Sequence, residues 1–503
     1  MSEDVTPGWD PSQRASARIG AREFLWWLAE SPVFRQPPSW NPDPLRWPGY
    51  SEKREQARQA TGLDEAVSVA TGRLRGTKLE AVFVAGDFGF LGGSMGTVVG
   101  ETIADAYDHA RSQQLPVVVL ATSGGARMYE GMAALVQMPK TIVAAEQHAR
   151  AGLLQIAVLR DPTTGGVFAS HVNHADILLA EPGATIGFAG PRVAAAMTDG
   201  RLPEGSHTAA GAERAGLLDA VVPRPDLPTV LERLLRWAQP DAEHEQPHRF
   251  DDPHLGEQDA WTQVQLARAP DRPRASEWLA PLDDPFELHG DREGTDDPTV
   301  RVVLGRVGGR RLVSIALDRN ANAGRVTPAG YRKAWRGLHI ADRLAAPVVI
   351  FIDTPGADPS APSEAGGIAA AIARTFSEVL ACRPPIVVMV MGEGGSGGAL
   401  CLTVGDRVLI QEHAIYTVIA PEGAAAILHR DPSRADEVAE LLHPTASGLA
   451  ELGIADEVVA EPVGDEVIVG WEAILRHLDE ISSQPWPARM ATRRRRWRGG
   501  GRA

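Results

Sequence analysis

The sequence predicts an α/β protein in which two similar domains follow one another in a single chain. Short apolar runs alternate with glycine-rich turns and helix-like stretches from Ala66 onward, which is typical of a mostly parallel sheet with crossover helices. The chain has 503 residues, 44% of them apolar, which is more than a single core usually holds. The same order of landmarks occurs twice, roughly 232 residues apart, and this predicts a duplicated domain.

The individual elements follow from the periodicity of the apolar residues. In the first half, buried strands are predicted at Ala81–Ala85, Pro116–Thr122 and Gln155–Leu159, and helices at Thr102–Arg111 and Met132–His148. In the second half, strand signals resume at Val300–Leu304 and Leu312–Leu317, and the pattern continues to about residue 480.

The repeat is carried by strand-to-helix turns. Pro116–Leu120 precedes the turn Thr122–Arg127, and Pro347–Phe351 precedes the turn Asp353–Ala357. The same offset places Gly165-Gly166 on Gly397-Gly398 and Thr185–Phe188 on Thr417–Ala420. Because several landmarks keep one register, chance similarity is a poor explanation, and the two halves are predicted to share a fold.

Composition sets the expected domain boundaries. We predict an N-terminal extension at residues 1–42, a first domain at 43–238, a polar linker at 239–258 and a second domain at 259–485. Residues 486–503 contain the run Arg493–Arg498 and are predicted to be a disordered basic tail, because charge runs are usually solvated.

Charge and cysteine content exclude several classes of protein. A net charge of −15 argues against nucleic acid as the main partner. Cys382 and Cys401 are too few for a disulfide framework, so a reducing cytoplasm is predicted. The apolar run Phe24–Leu28 is too short to cross a membrane. His171 and His174 have metal-like spacing but lack an evident third ligand, so no metal site is predicted.

Paired glycines at strand-to-helix turns are the main candidates for chemistry. A glycine pair lets backbone N–H groups approach a ligand, and at the start of a helix these donors are unpaired. Such a turn can hold an oxyanion, although an isolated pair is more often only a tight turn. Binding is favoured where the pairs coincide in both halves. The pairs are Gly92-Gly93, Gly124-Gly125, Gly165-Gly166, Gly394-Gly395 and Gly397-Gly398.

Short motifs for other chemistries give only weak signals in the sequence. It contains no G-x-x-x-x-G-K-[ST] phosphate loop. The letters G-x-S-x-G occur at Gly92–Gly96 and Gly394–Gly398, and G-x-G-x-x-G occurs at Gly392–Gly397, but these strings are interpreted as glycine-rich turns and not as a nucleophile elbow or a dinucleotide loop. The chemistry is therefore predicted to rest on backbone dipoles, which suits reactions of thioesters that pass through an enolate.

Longer strings then become recognisable in each half. They are Asp87–Gly96, Thr122–Met128, Pro162–Val167 and Ala180–Arg192 in the first half, and Val264–Arg268, Phe286–Arg292, Phe351–Ala357, Gly392–Leu400 and Ile419–Gly423 in the second. The first half resembles the β subunit, and the second half the α subunit, of the carboxyltransferase of bacterial acetyl-CoA carboxylase. The resemblance runs from about Asp43 to Val463.

The resemblance implies two crotonase-like ββα superhelix domains (the ClpP/crotonase fold) in tandem. The first would bind acyl-CoA and the second carboxybiotin, and the product would be malonyl-CoA from acetyl-CoA or a related short acyl-CoA. Biotin would be carried on a partner protein, so the biotin carboxyl carrier protein and biotin carboxylase are the expected partners. Because such domains usually pair between protomers, a homodimer or larger assembly is expected.

The resemblance also assigns residues. Gly165 and Gly166 would hold the thioester oxygen of the enolate, and Gly397 and Gly398 the ureido oxygen of biotin. Biotin itself could take the methyl proton, so no protein base is required. CoA would contact Gly92, Gly93, Ser123, Gly124, Gly125, Ala126 and Arg127, and biotin would contact Gly394, Gly395 and Ser396. The alternative for Arg127 is a structural ion pair, because an arginine after a tight turn often has one.

The sequence departs from the family in three places and leaves alternatives open. The four-cysteine zinc ribbon of the β subunit is missing, and the segments Asp318–Gly324 and Asp358–Glu364 are altered. A malonyl-thioester decarboxylase could use the same enolate hole. A catalytically silent scaffold is a second alternative, and crotonase-type hydration, which needs a nearby carboxylate, is a third. The acyl group and its carrier, CoA or a protein, also stay open.

Overall fold

The computed structural model describes residues 18–190, 194–196, 202–241, 247–248 and 259–499. The chain divides into two compact units. The first unit comprises Met1–Gln239 with Arg292–Gly294, and the second comprises Pro240–Asp291 and Thr295–Ala503. Most of the predicted linker, residues 239–258, lies outside the described residues.

The first unit is built on one eight-stranded sheet with the order β1-β2-β3-β4-β5-β6-β8, and β7 pairs with β5. The strands are β1 (Ala29–Arg35), β2 (Val67–Leu74), β3 (Glu80–Gly86), β4 (Val117–Ser123), β5 (Gln155–Thr164), β6 (Ile177–Ala180), β7 (Ile186–Gly187) and β8 (Ala220–Val221). The first three strands are antiparallel, and β3 to β6 run parallel. All side chains of β4 and β6 are buried, as expected for parallel strands covered on both faces.

The helices of the first unit connect these strands. They are α1 (Ala21–Leu28), α2 (Tyr50–Thr61), α3 (Thr97–Gln113), α4 (Gly131–Leu135), α5 (Gln137–Arg150), the short α6 (Gly165–Val167), α7 (Ala209–Arg214) and α8 (Leu227–Trp237). Single tight turns of helix lie at Leu91–Gly93, Met128–Glu130 and Arg224–Asp226, and Phe168–Val172 forms one wider π-helical turn.

The second unit repeats this plan with a sheet of order β18-β16-β15-β13-β11-β10-β9, and β17 pairs with β15. Its strands are β9 (Asp283–Leu288), β10 (Val300–Val307), β11 (Arg310–Leu317), β12 (Arg325–Val326), β13 (Val348–Thr354), β14 (Gly356–Ala357), β15 (Ile386–Gly395), β16 (Arg407–Gln411), β17 (Ile415–Thr417) and β18 (Glu457–Val459). Strands β12 and β14 form a separate parallel pair.

The helices of the second unit are α9 (Ala260–Ala267), α10 (Ala275–Leu279), α11 (Pro328–Leu344), α12 (Ala361–Ala365), α13 (Ile368–Ala381), α14 (Ser396–Thr403), α15 (Pro421–Leu428), α16 (Ala435–Leu442), α17 (Ala446–Glu451), α18 (Glu466–Ser482) and α19 (Trp486–Gly499). Tight helical turns lie at Asn322–Gly324 and Pro432–Arg434. None of the helices in the described ranges combines the length and the apolar character needed to cross a membrane.

Strand register corrects the predicted alignment of the two halves. Ala121 lies opposite Leu159 in the first unit, and Ile352 lies opposite Val390 in the second, so equivalent positions differ by 231 residues rather than 232. Gly165 and Ser396 therefore correspond, and both begin a helix with left-handed φ values of 66° and 60°. The structural counterpart of Gly165-Gly166 is Ser396-Gly397. The predicted match of Thr185–Phe188 to Thr417–Ala420 is also wrong, because register pairs Gly187 with Thr164 and Thr417 with Gly395.

The predicted N-terminal extension is wrong for residues 18–42. Helix α1 buries Phe24, Leu25 and Leu28, and β1 pairs antiparallel with β2 as the edge strand of the sheet. The apolar face of α1 needs a partner surface, and the sheet provides it. The first unit therefore includes α1 and β1.

The predicted disordered tail is wrong for residues 486–499, which form helix α19. The Arg493 side chain is fully buried and donates to both carboxylate oxygens of Asp406, at 2.8 and 2.5 Å. It also donates to the carbonyls of Val379 and Cys382, both at 2.7 Å. A buried, paired arginine holds this helix, so the arginine run is not uniformly solvated.

Replacement of Arg493 by alanine is expected to destabilise the protein by about 3–5 kcal/mol, because it leaves Asp406 buried without its main cation. The exposed Arg495 is the matched control on the same helix, and Arg495→Ala should change stability by less than about 0.5 kcal/mol. Urea unfolding followed by circular dichroism measures both. Equal stabilities for the two variants would contradict the structural role of Arg493.

Candidate functional site

The turn that follows β4 in the first unit is held by its own backbone and by a neighbouring loop. The Gly125 N–H donates to Ser123 Oγ at 3.0 Å, and the Gly124 N–H donates to the Gly92 carbonyl at 2.8 Å. Gly125 has a φ of 114°, which L residues with a side chain rarely adopt. The predicted glycines at 92, 93, 124 and 125 thus shape two loops that pack against each other.

Ala126 and Gly166 bring two free backbone donors to this turn. Met95 engages the neighbours of Ala126: its N–H donates to the Gly125 carbonyl at 2.8 Å, and its carbonyl accepts from the Arg127 N–H at 2.9 Å. The Ala126 N–H therefore faces the opposite side, since successive peptide groups alternate in extended backbone. Within the described chain, neither the Ala126 N–H nor the Gly166 N–H has a hydrogen-bond acceptor.

The two donors lie close together because the glycine turns are in contact. A Cβ atom added to Gly125 would lie 3.7 Å from the Gly166 nitrogen, and one added to Gly165 would lie 2.7 Å from the Gly125 Cα. The Gly165 N–H is already used, since it donates to the Phe188 carbonyl at 2.9 Å. Of the predicted pair only Gly166 offers a free donor, and Ala126, predicted as a CoA contact, supplies the second.

The second unit has the same construction one repeat later. The Gly356 N–H donates to Thr354 Oγ1 at 2.9 Å, and Gly356 has a φ of 127°. Ala357 pairs with Val326 as Ala126 does with Met95. The Asp358 N–H donates to the Val326 carbonyl at 2.8 Å, so the Ala357 N–H faces away from β12, since successive peptide groups alternate. The Gly397 N–H lies in the first turn of α14, where it has no intrahelical acceptor. This unit therefore also presents two free donors.

The predicted role of Gly398 is corrected by its packing. A Cβ atom on Gly398 would lie 2.3 Å from the Ala357 nitrogen, whereas one on Gly397 would meet no atom within 4 Å. Gly398 is thus required for the close approach of α14 to the Ala357 turn, and its carbonyl accepts from the Tyr331 hydroxyl at 2.9 Å. Gly397 faces the open side and corresponds to Gly166.

The residues predicted to contact biotin separate into two groups. A Cβ atom on Gly394 would lie 2.2 Å from the Tyr416 ring, and one on Gly395 would lie 2.1 Å from the Pro355 carbonyl oxygen. Both glycines are buried at the end of β15 and are needed for packing, and their contact with biotin stays a prediction. Ser396 is exposed beside Gly397, and its contact with biotin stays a prediction.

Arg127 forms a structural ion pair, which was the alternative to its predicted contact with CoA. Its buried guanidinium donates to Glu65 at 2.8 Å and to the Ser94 carbonyl at 2.8 Å, and it lies 3.4 Å from Glu130. Burial disfavours its charge, but Glu65, Tyr50 and Glu130 outweigh this effect and the pKa of Arg127 is raised. The side chain is thus enclosed within the first unit and anchors the Ala126 turn from behind.

The Arg127→Ala variant is accordingly expected to lose about 3–5 kcal/mol of stability, because the fully buried Glu130 loses its cation and Glu65 keeps only Arg54. The KM for acyl-CoA in the fraction that stays folded should change by less than about threefold, since the side chain is not exposed to ligand. Thermal unfolding and steady-state kinetics at low temperature measure the two effects. A large rise in KM without loss of stability would restore the predicted contact with CoA.

A cavity of about 570 Å³ lies at the carboxyl ends of the first unit's strands. It reaches Thr122, the residue before the Ser123 turn, and its wall includes Phe88 and Arg18. Arg160 is buried in it, and the Arg160 Nε atom has no partner in the described part of the chain. This cavity was not predicted from the sequence, although the Asp87–Gly96 string that follows β3 contributes part of its wall.

Two groups of side chains have the composition of metal ligands, but their contacts argue against metal binding. Burial, followed by the nearby His174, lowers the pKa of His171 to about 4, and its ring packs in the core beside Ser170. Glu412, His413 and Glu461 come together in the second unit, but Arg272 already forms an ion pair with Glu461. An arginine on this carboxylate competes with a cation, so the cluster is a poor metal site.

Comparison with known proteins gives consistent results over most of the chain. A family model described as acetyl co-enzyme A carboxylase carboxyltransferase-like matches residues 244–499. A Salinispora tropica protein named acetyl-coenzyme A carboxylase carboxyl transferase subunits beta/alpha is 41% identical over 476 residues, covering 89% of this chain and 84% of that protein. A Mycobacterium tuberculosis protein named probable biotin-dependent acyl-coenzyme A carboxylase beta3 subunit is 36% identical over 475 residues, covering 92% and 94%.

A solved structure confirms the predicted fold. The transcarboxylase 12S hexamer, with methylmalonyl-coenzyme A and methylmalonic acid bound, superposes with a TM-score of 0.77 at 20% identity and covers 94% of this chain and 92% of that one. The tandem crotonase-like architecture is therefore correct.

Proposed function

The chain belongs to the family of biotin-dependent acetyl-CoA carboxylase carboxyltransferases, and from this premise we propose how its two halves divide the reaction. The first unit binds acetyl-CoA or a related short acyl-CoA, and the second binds carboxybiotin. The observation that carries the proposal is the presence of two free backbone donors at equivalent turns of each unit, Ala126 with Gly166 and Ala357 with Gly397. The decarboxylase alternative is not favoured, because the related proteins are carboxyltransferases.

In the first unit, the thioester oxygen is placed between the N–H groups of Ala126 and Gly166. The methyl proton would pass to the ureido nitrogen of biotin that the carboxyl group has left, negative charge then develops on this oxygen, and the two donors stabilise it. The free energy needed to reorganise the two N–H donors is small, because Ser123 and Met95 already fix the turn through hydrogen bonds. The polypeptide here acts by holding charge, and no side-chain nucleophile is needed.

In the second unit, the residues present fit biotin. Biotin supplies the carboxyl group on a ureido nitrogen, and its ureido oxygen needs hydrogen-bond donors when that group leaves. The N–H groups of Ala357 and Gly397 are free, and the space in front of Gly397 is open. These residues would orient the ring by its oxygen, and Ser396 beside them could offer its hydroxyl.

The cavity beside Thr122 is the proposed place for the nucleotide end of CoA. Its volume of about 570 Å³ is in the range of small-molecule sites. Arg18 at the rim lies over the Phe88 ring at 4.4 Å and forms a half-exposed ion pair with Asp161 at 3.1 Å, so it is a cation that a phosphate could reach from solvent. Because Thr122 directly precedes the Ser123 turn, a molecule seated here could extend toward Ala126 and Gly166.

The proposal includes partners and an assembly. Biotin would arrive on a biotin carboxyl carrier protein charged by a biotin carboxylase, and no metal ion is needed for the transfer. We expect a homodimer or larger closed oligomer, because each unit offers the donors for only one reactant. Analytical ultracentrifugation should give a mass at least twice 53.7 kDa. A fully active species at the mass of one chain would contradict this expectation.

The test of the proposed function is the reverse reaction with free biotin. The purified protein should convert malonyl-CoA to acetyl-CoA only when biotin is added, since biotin accepts the carboxyl group. Conversion without biotin would support the decarboxylase, and no conversion in either condition would support a silent scaffold. Acetyl-CoA formation is followed by liquid chromatography, with heat-denatured protein as the control.

A further inference from the structure

A cluster of arginines and carboxylates lies directly before the turn at Ser396 and Gly397 in the second unit, which is called the donor turn below. Glu393, at the end of β15, is 1% exposed. Its two carboxylate oxygens accept from Arg268 at 2.9 and 3.0 Å, and one of them also accepts from Arg319 at 2.7 Å. Its N–H donates to Asp353 at 3.1 Å, and Asp353 is paired with Arg274 at 2.7 Å. The strand end that leads into Ser396 and Gly397 is thus fixed by buried charges.

The first unit fixes the equivalent strand end without these charges. By register, Pro162 corresponds to Glu393 and Thr122 to Asp353. The Thr122 hydroxyl donates to the Pro162 carbonyl at 3.1 Å, so a hydroxyl and a proline replace the carboxylates and arginines. The two repeats share a fold and differ in this support, so the fold alone does not require the buried charges of the second unit.

Arg268 connects this support to a second element. Besides Glu393, it donates to Glu422 at 2.6 Å in the first turn of α15. Helix α15 begins four residues after β17, and Thr417 of β17 pairs with Gly395 beside the donor turn. One guanidinium therefore links the end of β15, which leads into the turn that presents Gly397, to the start of α15.

We propose that Arg268 is a positioning residue that sets the geometry of the biotin-side donors. This inference rests on the proposed function, because it takes Gly397 and Ala357 as the donors to biotin. Arg268 touches neither donor and acts through Glu393 and Glu422. A lysine keeps the charge but lacks the planar fork that engages Glu393 through two nitrogens, so Arg268→Lys should let the turn shift while the core stays paired through Arg319.

The test measures two substrates separately in the reverse reaction. Arg268→Lys is expected to lower kcat/KM for free biotin by about 10- to 100-fold, because a displacement near 1 Å is costly in a positioned site. The KM for malonyl-CoA should stay within about twofold, since the first unit is untouched. Glu422→Gln, which removes the charge on α15 and so weakens only that link, should show the same pattern at smaller amplitude. The matched control is Arg301→Lys, which alters an arginine with two bonds to Glu287 on the surface of the same unit.

The outcomes separate the inference from the proposed function. A wild-type protein without biotin-dependent turnover contradicts the proposed function itself. If the wild type is active, the next comparison is between the two variants. If Arg268→Lys is folded and has the same kinetic constants for biotin and for malonyl-CoA as the Arg301→Lys control, Arg268 has no positioning role. Parallel losses for biotin and malonyl-CoA would show a general structural role and would also overturn the inference. If Arg268→Lys does not fold, Glu422→Gln takes its place: a loss of kcat/KM for biotin alone supports the inference, and constants equal to those of Arg301→Lys contradict it.

Discussion

Replacement of Gly166 by proline is expected to lower biotin-dependent turnover of malonyl-CoA by about 100- to 1000-fold, the usual effect of removing one oxyanion donor. Proline lacks the N–H that faces the thioester oxygen, and it is tolerated in the first turn of a helix, where that N–H has no intrahelical acceptor. Gly166 lies in this first turn of α6. Steady-state kinetics of acetyl-CoA formation, with malonyl-CoA and biotin varied independently, measures the effect.

Gly166→Ala is the matched control because it keeps the donor. Its Cβ atom would lie 3.0 Å from Met138 Sδ, a flexible group that can move, so its loss should be below about tenfold. Both variants must unfold cooperatively at similar denaturant concentrations, because a strained turn can imitate a catalytic loss. If Gly166→Pro is folded and as active as Gly166→Ala, the Gly166 N–H does not hold the thioester oxygen.

The same exchange at Gly397 is expected to impair the biotin side by a similar factor. Gly397→Pro removes the free donor of α14, so turnover with free biotin should fall by about 100- to 1000-fold. Malonyl-CoA binding, measured by calorimetry without biotin, should be unchanged, because its donors lie in the first unit. Gly397→Ala fits without contacts within 4 Å and serves as the control that keeps the N–H.

Gly398 is unsuitable for this test, although the sequence alignment pointed to it. Any side chain there would collide with the Ala357 nitrogen, so a loss of activity would report a displaced turn. The assignment of the second donor pair is wrong if folded Gly397→Pro transfers the carboxyl group to biotin at the normal rate. The assignment is also wrong if Gly397→Pro no longer binds malonyl-CoA, because the donors for malonyl-CoA are assigned to the first unit.

The duplicated fold could be predicted because its signals are local. Apolar strands followed by glycine turns at Thr122–Arg127 and Asp353–Ala357 recur at one spacing, and the structure has β4 and β13 there. The register was missed by one residue because glycine was matched to glycine. The position that requires a positive φ is Gly165 in one unit and Ser396 in the other, and a serine there gives no sequence signal.

The ends of the chain show the limit of composition as a guide. The arginine run at residues 493–498 indicates a solvated tail, yet Arg493 is buried against Asp406, 87 positions earlier in the chain. Arg127 was likewise open to two interpretations until Glu65 was placed beside it. Long-range partners of this kind cannot be read from spacing, whereas backbone turns can.

The cavity beside Thr122 was missed for a related reason. Its wall brings together residues from the ends of β3, β4, β5 and β6, including Asp87, Arg160 and Glu181. No one of these residues is distinctive in the sequence. Only the parallel order of the strands collects them at one edge of the sheet.

The central claim is that each unit uses its own pair of backbone donors for its own reactant. The most direct measurement is a crystal structure of the protein with a malonyl-CoA analogue whose thioester sulfur is replaced by a methylene group. We expect the carbonyl oxygen within about 2.7–3.1 Å of the Ala126 and Gly166 nitrogens. A carbonyl oxygen bound instead at the Ala357 and Gly397 nitrogens, or at neither pair, would contradict the account.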